Sequence, residues 1–94
     1  MHIKEESHMD LTQLVNNHSS LYLRTGRSNN IIVDGKIMIH DVRAIHNHGK
    51  GDLELISYNK IGGESHTVYI KGVKTVICDL VYWSKKIDYD ELEA

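Results

Sequence analysis

"NNIIVDGKIMIHDV", residues 29–42, is mostly apolar after Asn29-Asn30, broken at its centre by Asp34-Gly35-Lys36 and near its end by His40-Asp41. Taken as one strand it is the longest in the chain, and a glycine in mid-strand marks a bulge or a sharp bend. A bent long strand is how a short sheet curls over on itself. The segments on either side are therefore expected to wrap a small, strongly curved β structure.

Upstream, "SLYLRTG" (20–26) alternates Leu21 and Leu23 inward with Tyr22 and Arg24 outward, then turns at Thr25-Gly26. Before it, "DLTQLVNNHSS" (10–20) places Leu11, Leu14, Val15 and His18 at i, i+3, i+4 and i+7, the pattern of a short amphipathic helix. Asp10 and Gln13 have the spacing of a capping box. The opening "MHIKEESH" has no usable period, and "SHM" at 7–9 resembles a cloning scar. Residues 1–8 thus read as a leader or tag remnant outside the fold.

Downstream, "HNHGKGD" (46–52) reads as a glycine-rich loop and "DLELISY" as a strand with Leu53 and Leu55 on one face. "NKIGGES" (59–65) is the next turn, its Gly62-Gly63 pair able to adopt positive φ. "HTVYIKG" and "KTVICDLVYW" complete five strands. One helix followed by a meander of strands predicts a mainly β domain over residues 9–84, closing as a small barrel. Residues 85–94, polar and acidic, read as a tail, either solvated or competing for the protein's own basic surface.

The last strand is apolar on both sides. Val76, Cys78 and Leu80 alternate with Ile77 and Val81, followed by Trp83. At ~25 cal/mol per Å2, leaving two or three such side chains in water forfeits several kcal/mol, a large part of a small domain's stability. A covering surface is expected, and a second copy of the chain is one candidate.

Net charge is −2 over 94 residues. Between Met9 and Ser84 eight Lys/Arg stand against seven Asp/Glu, so the body is near neutral and its acid lies toward the ends. Local contact with phosphates is permitted but not announced. Cys78 is the single cysteine, which excludes an intrachain disulfide and agrees with a reducing cytoplasm. No apolar run is long enough for a membrane helix.

Three stretches carry a resemblance. "LYLRTGR" (21–27), "GKIMIHD" (35–41) and "VYIKGVKTVI" (68–77) are similar to the first strand and the two sequence motifs of the Sm-like family, which includes LSm proteins and the bacterial Hfq RNA chaperone. The resemblance spans roughly Asp10 to Leu80. It implies an N-terminal helix on a five-stranded, bent, Sm-like or SH3-like barrel that assembles into a homo-hexameric or heptameric ring and binds single-stranded RNA. In such rings the fourth strand of one subunit pairs with the fifth of the next. Asp41 matches the motif aspartate that orients the pocket, Arg43 the stacking position, and Lys71-Gly72 the basic turn. Asn47 lies two residues beyond the usual amide position, and His46 and His48 flank it in the loop.

Other chemistries were open on the residues. His46 and His48, with His40, Asp41 or His66, could hold a metal, although flanking glycines favour a loop and no metal or cofactor is expected. Tyr58, Tyr69, Tyr82 and Trp83 could form a stacking platform or, more commonly in a small domain, core and interface. No activated nucleophile or paired acids stand out, so the expectation is a non-enzyme. The rival reading is a small interaction or inhibitor protein, of phage or mobile-element origin, that binds a host protein.

Overall fold

The computed structural model describes residues 6–23, 29–59 and 62–81; the Thr25-Gly26 turn, Tyr82, Trp83 and the acidic tail lie outside the described residues. The chain runs β1 (Glu6–Asp10), α1 (Thr12–Asn17), β2 (Ser20–Tyr22), β3 (Asn30–Val33), β4 (Ile37–Ile39), β5 (Val42–Asn47), β6 (Leu53–Asn59), β7 (Glu64–Ile70) and β8 (Val76–Val81). It is mainly β, with two antiparallel four-stranded sheets ordered β1-β8-β3-β4 and β2-β5-β6-β7.

Residues 29–42 do not form one bulged strand. They fold back as a β3–β4 hairpin, with Ile31 opposite Ile39, Ile32 opposite Met38 and Val33 opposite Ile37. Asp34 and Gly35 both have positive φ (53° and 68°), and the Lys36 N–H donates to the Val33 carbonyl at 3.1 Å. Positive φ at both central residues is the mirror-image turn that suits the right-handed twist of paired strands. The sharp bend comes later, at Asp41 (φ 55°), where the chain passes from β4 in one sheet to β5 in the other. There the Asp41 N–H donates to the Asn30 side chain at 3.2 Å.

Pairing continues through this corner. Leu23 N–H donates to the Arg43 carbonyl at 2.9 Å, and Val42 N–H donates to the Asn29 carbonyl at 2.8 Å. Leu23, just after β2, and Asn29, just before β3, thus both bond to the start of β5 at this corner. Between the sheets lies one core, in which Leu11, Leu21, Ile31, Ile45, Leu55 and Val76 are among the fully buried side chains. Each stabilises the fold by about 1.5–3 kcal/mol relative to exposure.

The helix ends at Asn17, where its short apolar pattern and the Asn16-Asn17-His18 run suggested. His18 has extended backbone, φ −134° and ψ 145°, and lies beyond the last turn. The Asp10 carboxylate accepts the Thr12 N–H at 2.9 Å, yet the N-cap position is Leu11 and no side chain caps it, so the expected capping box does not form. Packing and tertiary bonds hold α1 instead. Leu11 and Val15 are buried, the Leu11 N–H donates to the Val76 carbonyl at 2.8 Å, and Thr12 Oγ1 accepts the Val76 N–H at 3.0 Å.

Residues 6–8, expected outside the fold, belong to β1, which pairs with β8 from Glu6 opposite Val81 to Asp10 opposite Ile77. Met9 is buried with the core. β8 is thus paired on both edges, with β3 on the other side. Val76 and Cys78 point into the core while Ile77, beside Ile32, is half-buried. Among the described residues β7 pairs only with β6. No described helix is long and apolar enough to cross a membrane.

Candidate nucleic-acid interface

The seven residues singled out from the sequence fall into two groups. Asp41, Arg43, His46 and Asn47 lie on or beside β5, and His48, Lys71 and Gly72 lie on turns at the other end of that strand.

In the first group the side chains are engaged within the protein. Arg43 Nη2 lies 3.0 Å from Asp41 Oδ1, and the arginine side chain is only 14% exposed. A guanidinium held this way presents little of its plane to a base. His46, expected in a loop, is in β5; its Nδ1 lies 2.8 Å from Ser20 Oγ, and its ring meets Tyr22 edge-on at 5.8 Å. Asn47 donates from Nδ2 to the Val15 carbonyl at 2.9 Å and accepts the Gly49 N–H at 2.9 Å. The first bond occupies a helical carbonyl left without a partner at the end of α1. Asn47 therefore holds the helix against β5, and its amide is not turned out toward a ligand.

The second group is assembled by turns. His48 Nε2 lies 2.8 Å from Glu54 Oε1. The Val73 N–H donates to the Gly51 carbonyl at 2.8 Å, and the Gly72 N–H donates to Asp52 Oδ1 at 3.2 Å. Gly72 has φ 66° with open space around it, so glycine is required there for backbone conformation. From the far side, Asp34 Oδ1 accepts the N–H groups of Lys74 and Thr75 at 2.8 and 2.9 Å. These two bonds, Thr75 first, hold the Asp34 carboxyl below its usual range. Three turns, 34–36, 48–52 and 71–75, are thereby joined at one end of the molecule, and Lys36, Lys50, Lys71 and Lys74 on them are exposed.

Asp34 was read only as part of the Asp34-Gly35 break, and Asp52 was not singled out. Both are acids two residues or fewer from a glycine, a spacing that signals a turn but does not say which distant amides the carboxylate will meet. Tyr22, read simply as outward-facing, belongs with Tyr58 and Tyr69 in being exposed. These tyrosines are neither core nor interface within the chain.

The remaining reactive candidates are quiet. Cys78 is buried, and desolvation pushes its thiol up to about 12, well away from a nucleophilic thiolate at neutral pH. Among the described residues no group of three or more His, Cys, Asp or Glu could hold a metal ion. Compared with protein-family models, curated proteins and solved structures, the chain matches none of them.

Proposed function

We propose that this protein is a small Sm-like β-barrel that binds single-stranded RNA at the end built by the 34–36, 48–52 and 71–75 turns. The observation that carries the reading is the lysine arrangement. Four lysines converge on three turns, while two of the acids among them, Asp34 and Asp52, have a carboxylate oxygen committed to backbone amides. Ammonium groups held on rigid turns suit phosphate contacts, which supply most of the affinity for nucleic acid and fix its position. The barrel is supported by the corner bonds of Leu23 and Asn29 to Arg43 and Val42 and by the return of β8 to β3. Asp41, Arg43 and Asn47 shape the corner and the helix seat in this reading, and RNA contact shifts to Lys71 and the His48–Asp52 turn.

Assembly takes a form set by β1. In the proposed ring, β7 of one copy pairs with β8 of the next, on the edge that β1 occupies. The full chain is then a single copy while β1 is seated, and rings form when residues 6–10 leave β8.

One observation favours the protein-binding reading: β7 is a seven-residue strand with exposed side chains, paired on one edge only among the described residues. Such an edge can accept an extended segment of a partner.

The deciding experiment is anisotropy of a labelled short RNA titrated at several salt concentrations. Lys71→Ala is expected to weaken binding several-fold and to lower the salt slope by about one, leaving the melting temperature unchanged. RNA affinity that is absent at low salt, or identical in the variant, removes the proposed site.

A further inference from the structure

On the β2-β5-β6-β7 sheet, strand pairing separates two faces. Leu21, Ile45 and Leu55 lie opposite one another on the side of the core, and Val68, itself exposed, continues that row on β7. The outward face carries the row Tyr22, Ala44, Ile56 and Thr67, the row Ser20, His46, Glu54 and Tyr69, and beyond them Tyr58 opposite Ser65. Tyr69 is 70% exposed, Tyr22 46% and Tyr58 39%. Three rings therefore stand in water on one side of one sheet.

Their spacing follows from sheet geometry. Neighbouring strands lie about 4.8 Å apart, and successive residues on one face of a strand about 6.8 Å. Tyr69 and Tyr58 are one strand and two such steps apart; Tyr69 and Tyr22 are three strands and one step apart. Between them the middle row ends in short or half-buried side chains, Ala44, Ile56 and Thr67, so the rings flank a shallow floor.

Charge sets the kind of partner. Glu54 is the single acid among the residues paired on this face, and His48 contacts it at 2.8 Å. Two residues beyond Tyr69 the chain enters the lysine turn at Lys71. Exposed rings beside turns that carry exposed lysines complement a strand that carries flat bases and regularly spaced phosphates. A protein segment needs no such adjacency.

We propose that this face is a stacking platform for the bases of single-stranded nucleic acid, with Tyr22, Tyr58 and Tyr69 as the stacking rings and the lysine turns holding the phosphates. The platform rests on the RNA-binding reading and adds to it how the bases are held. Since every nucleobase offers a flat face, it should discriminate poorly among sequences.

The test compares two fluorescein-labelled 12-mers, oligo(U) and an abasic oligomer with the same backbone, binding the full chain at low salt. Tyr69→Ala and Tyr22→Ala are expected to weaken oligo(U) by about five- to a hundred-fold each, the range for loss of one stacked base. Tyr69→Phe should bind as the unchanged protein does. Abasic binding should be weaker overall, indifferent to the tyrosine variants and reduced by Lys71→Ala. The rings are exposed, so unchanged melting temperatures are expected to accompany these losses. If the tyrosine variants bind oligo(U) normally while Lys71→Ala does not, the platform is overturned and the RNA reading stands. Equal affinity for the two oligomers overturns it as well. Failure of both oligomers to bind removes both proposals and leaves the tyrosines to a protein partner.

Discussion

At Gly51 an added methyl group would stand 2.7 Å from the Val73 carbonyl oxygen and 2.8 Å from the Val73 nitrogen, both backbone atoms that cannot step aside. The φ of +79° adds strain for any side chain. At Gly35 the φ is similar, +68°, but the space is open. Comparing the two substitutions separates the causes. Gly35→Ala should cost about 1–3 kcal/mol through backbone strain, and Gly51→Ala should cost more, because the 48–52 and 71–75 turns must part. Urea unfolding of both variants checks this; equal losses would show that the close approach carries no cost. The same scale shows what single letters concealed. Arg43 and Asn47 have the chemistry to stack on a base and read its edge, yet the contacts that occupy them come from Asp41 and from Val15, 32 residues away in the case of Asn47. Periodicity reports which face a residue takes, and is silent about a hydrogen-bond partner in another element.

Among the elements, strands announced by alternation and bounded by glycine turns were legible: β6 lies where "DLELISY" placed it, and β7 overlaps "HTVYIKG" but begins two residues earlier, at Glu64, and ends at Ile70. The β3–β4 hairpin was concealed by the very uniformity of its apolar residues, although Asp-Gly between apolar runs is a strong hairpin signal. β1 was concealed because one buried side chain, Met9, sets no visible period; its place is fixed by backbone pairing to β8. The hairpin turn also bears a pH-sensitive tie. Asp34 is depressed from 3.8 by the Thr75 and Lys74 amides, so its charged form is favoured in the folded state. A depressed carboxyl contributes stability above its unfolded pKa, and the contribution is lost as pH falls through the folded value. Asp34→Asn should therefore melt below the unchanged protein at pH 7. The gap should narrow as pH drops beneath the usual carboxylate range, and thermal melts across pH 2–7 follow it. A gap constant with pH would show that the tie does not depend on charge.

For the molecule as a whole, the two-sided apolar character of β8 has a partial answer within one chain. β3 and β1 take both edges of the strand and Met9 joins the core, while Ile77 and Ile32 remain half-buried and Met38 exposed on the outer side of that sheet. A chain shortened to begin at Asp10 loses four of the five β1 pairings with β8 and the burial of Met9. Truncating a buried methionine alone costs about 2–5 kcal/mol, set against roughly 5–15 kcal/mol for a whole domain. In the proposed ring the freed β8 edge and the β7 edge, unpaired on one side among the described residues, form the two halves of one joint between copies. Because that joint is head-to-tail, it closes into a ring if the rotation per copy divides the circle. Native mass measurement should give a single copy for the full chain and multiple copies for the shortened one, with strand content retained by circular dichroism. A shortened chain that stays folded as a single copy would rule out β8 as the joint. A full chain already found as six or seven copies would mean that copies meet along an edge other than the one β1 covers.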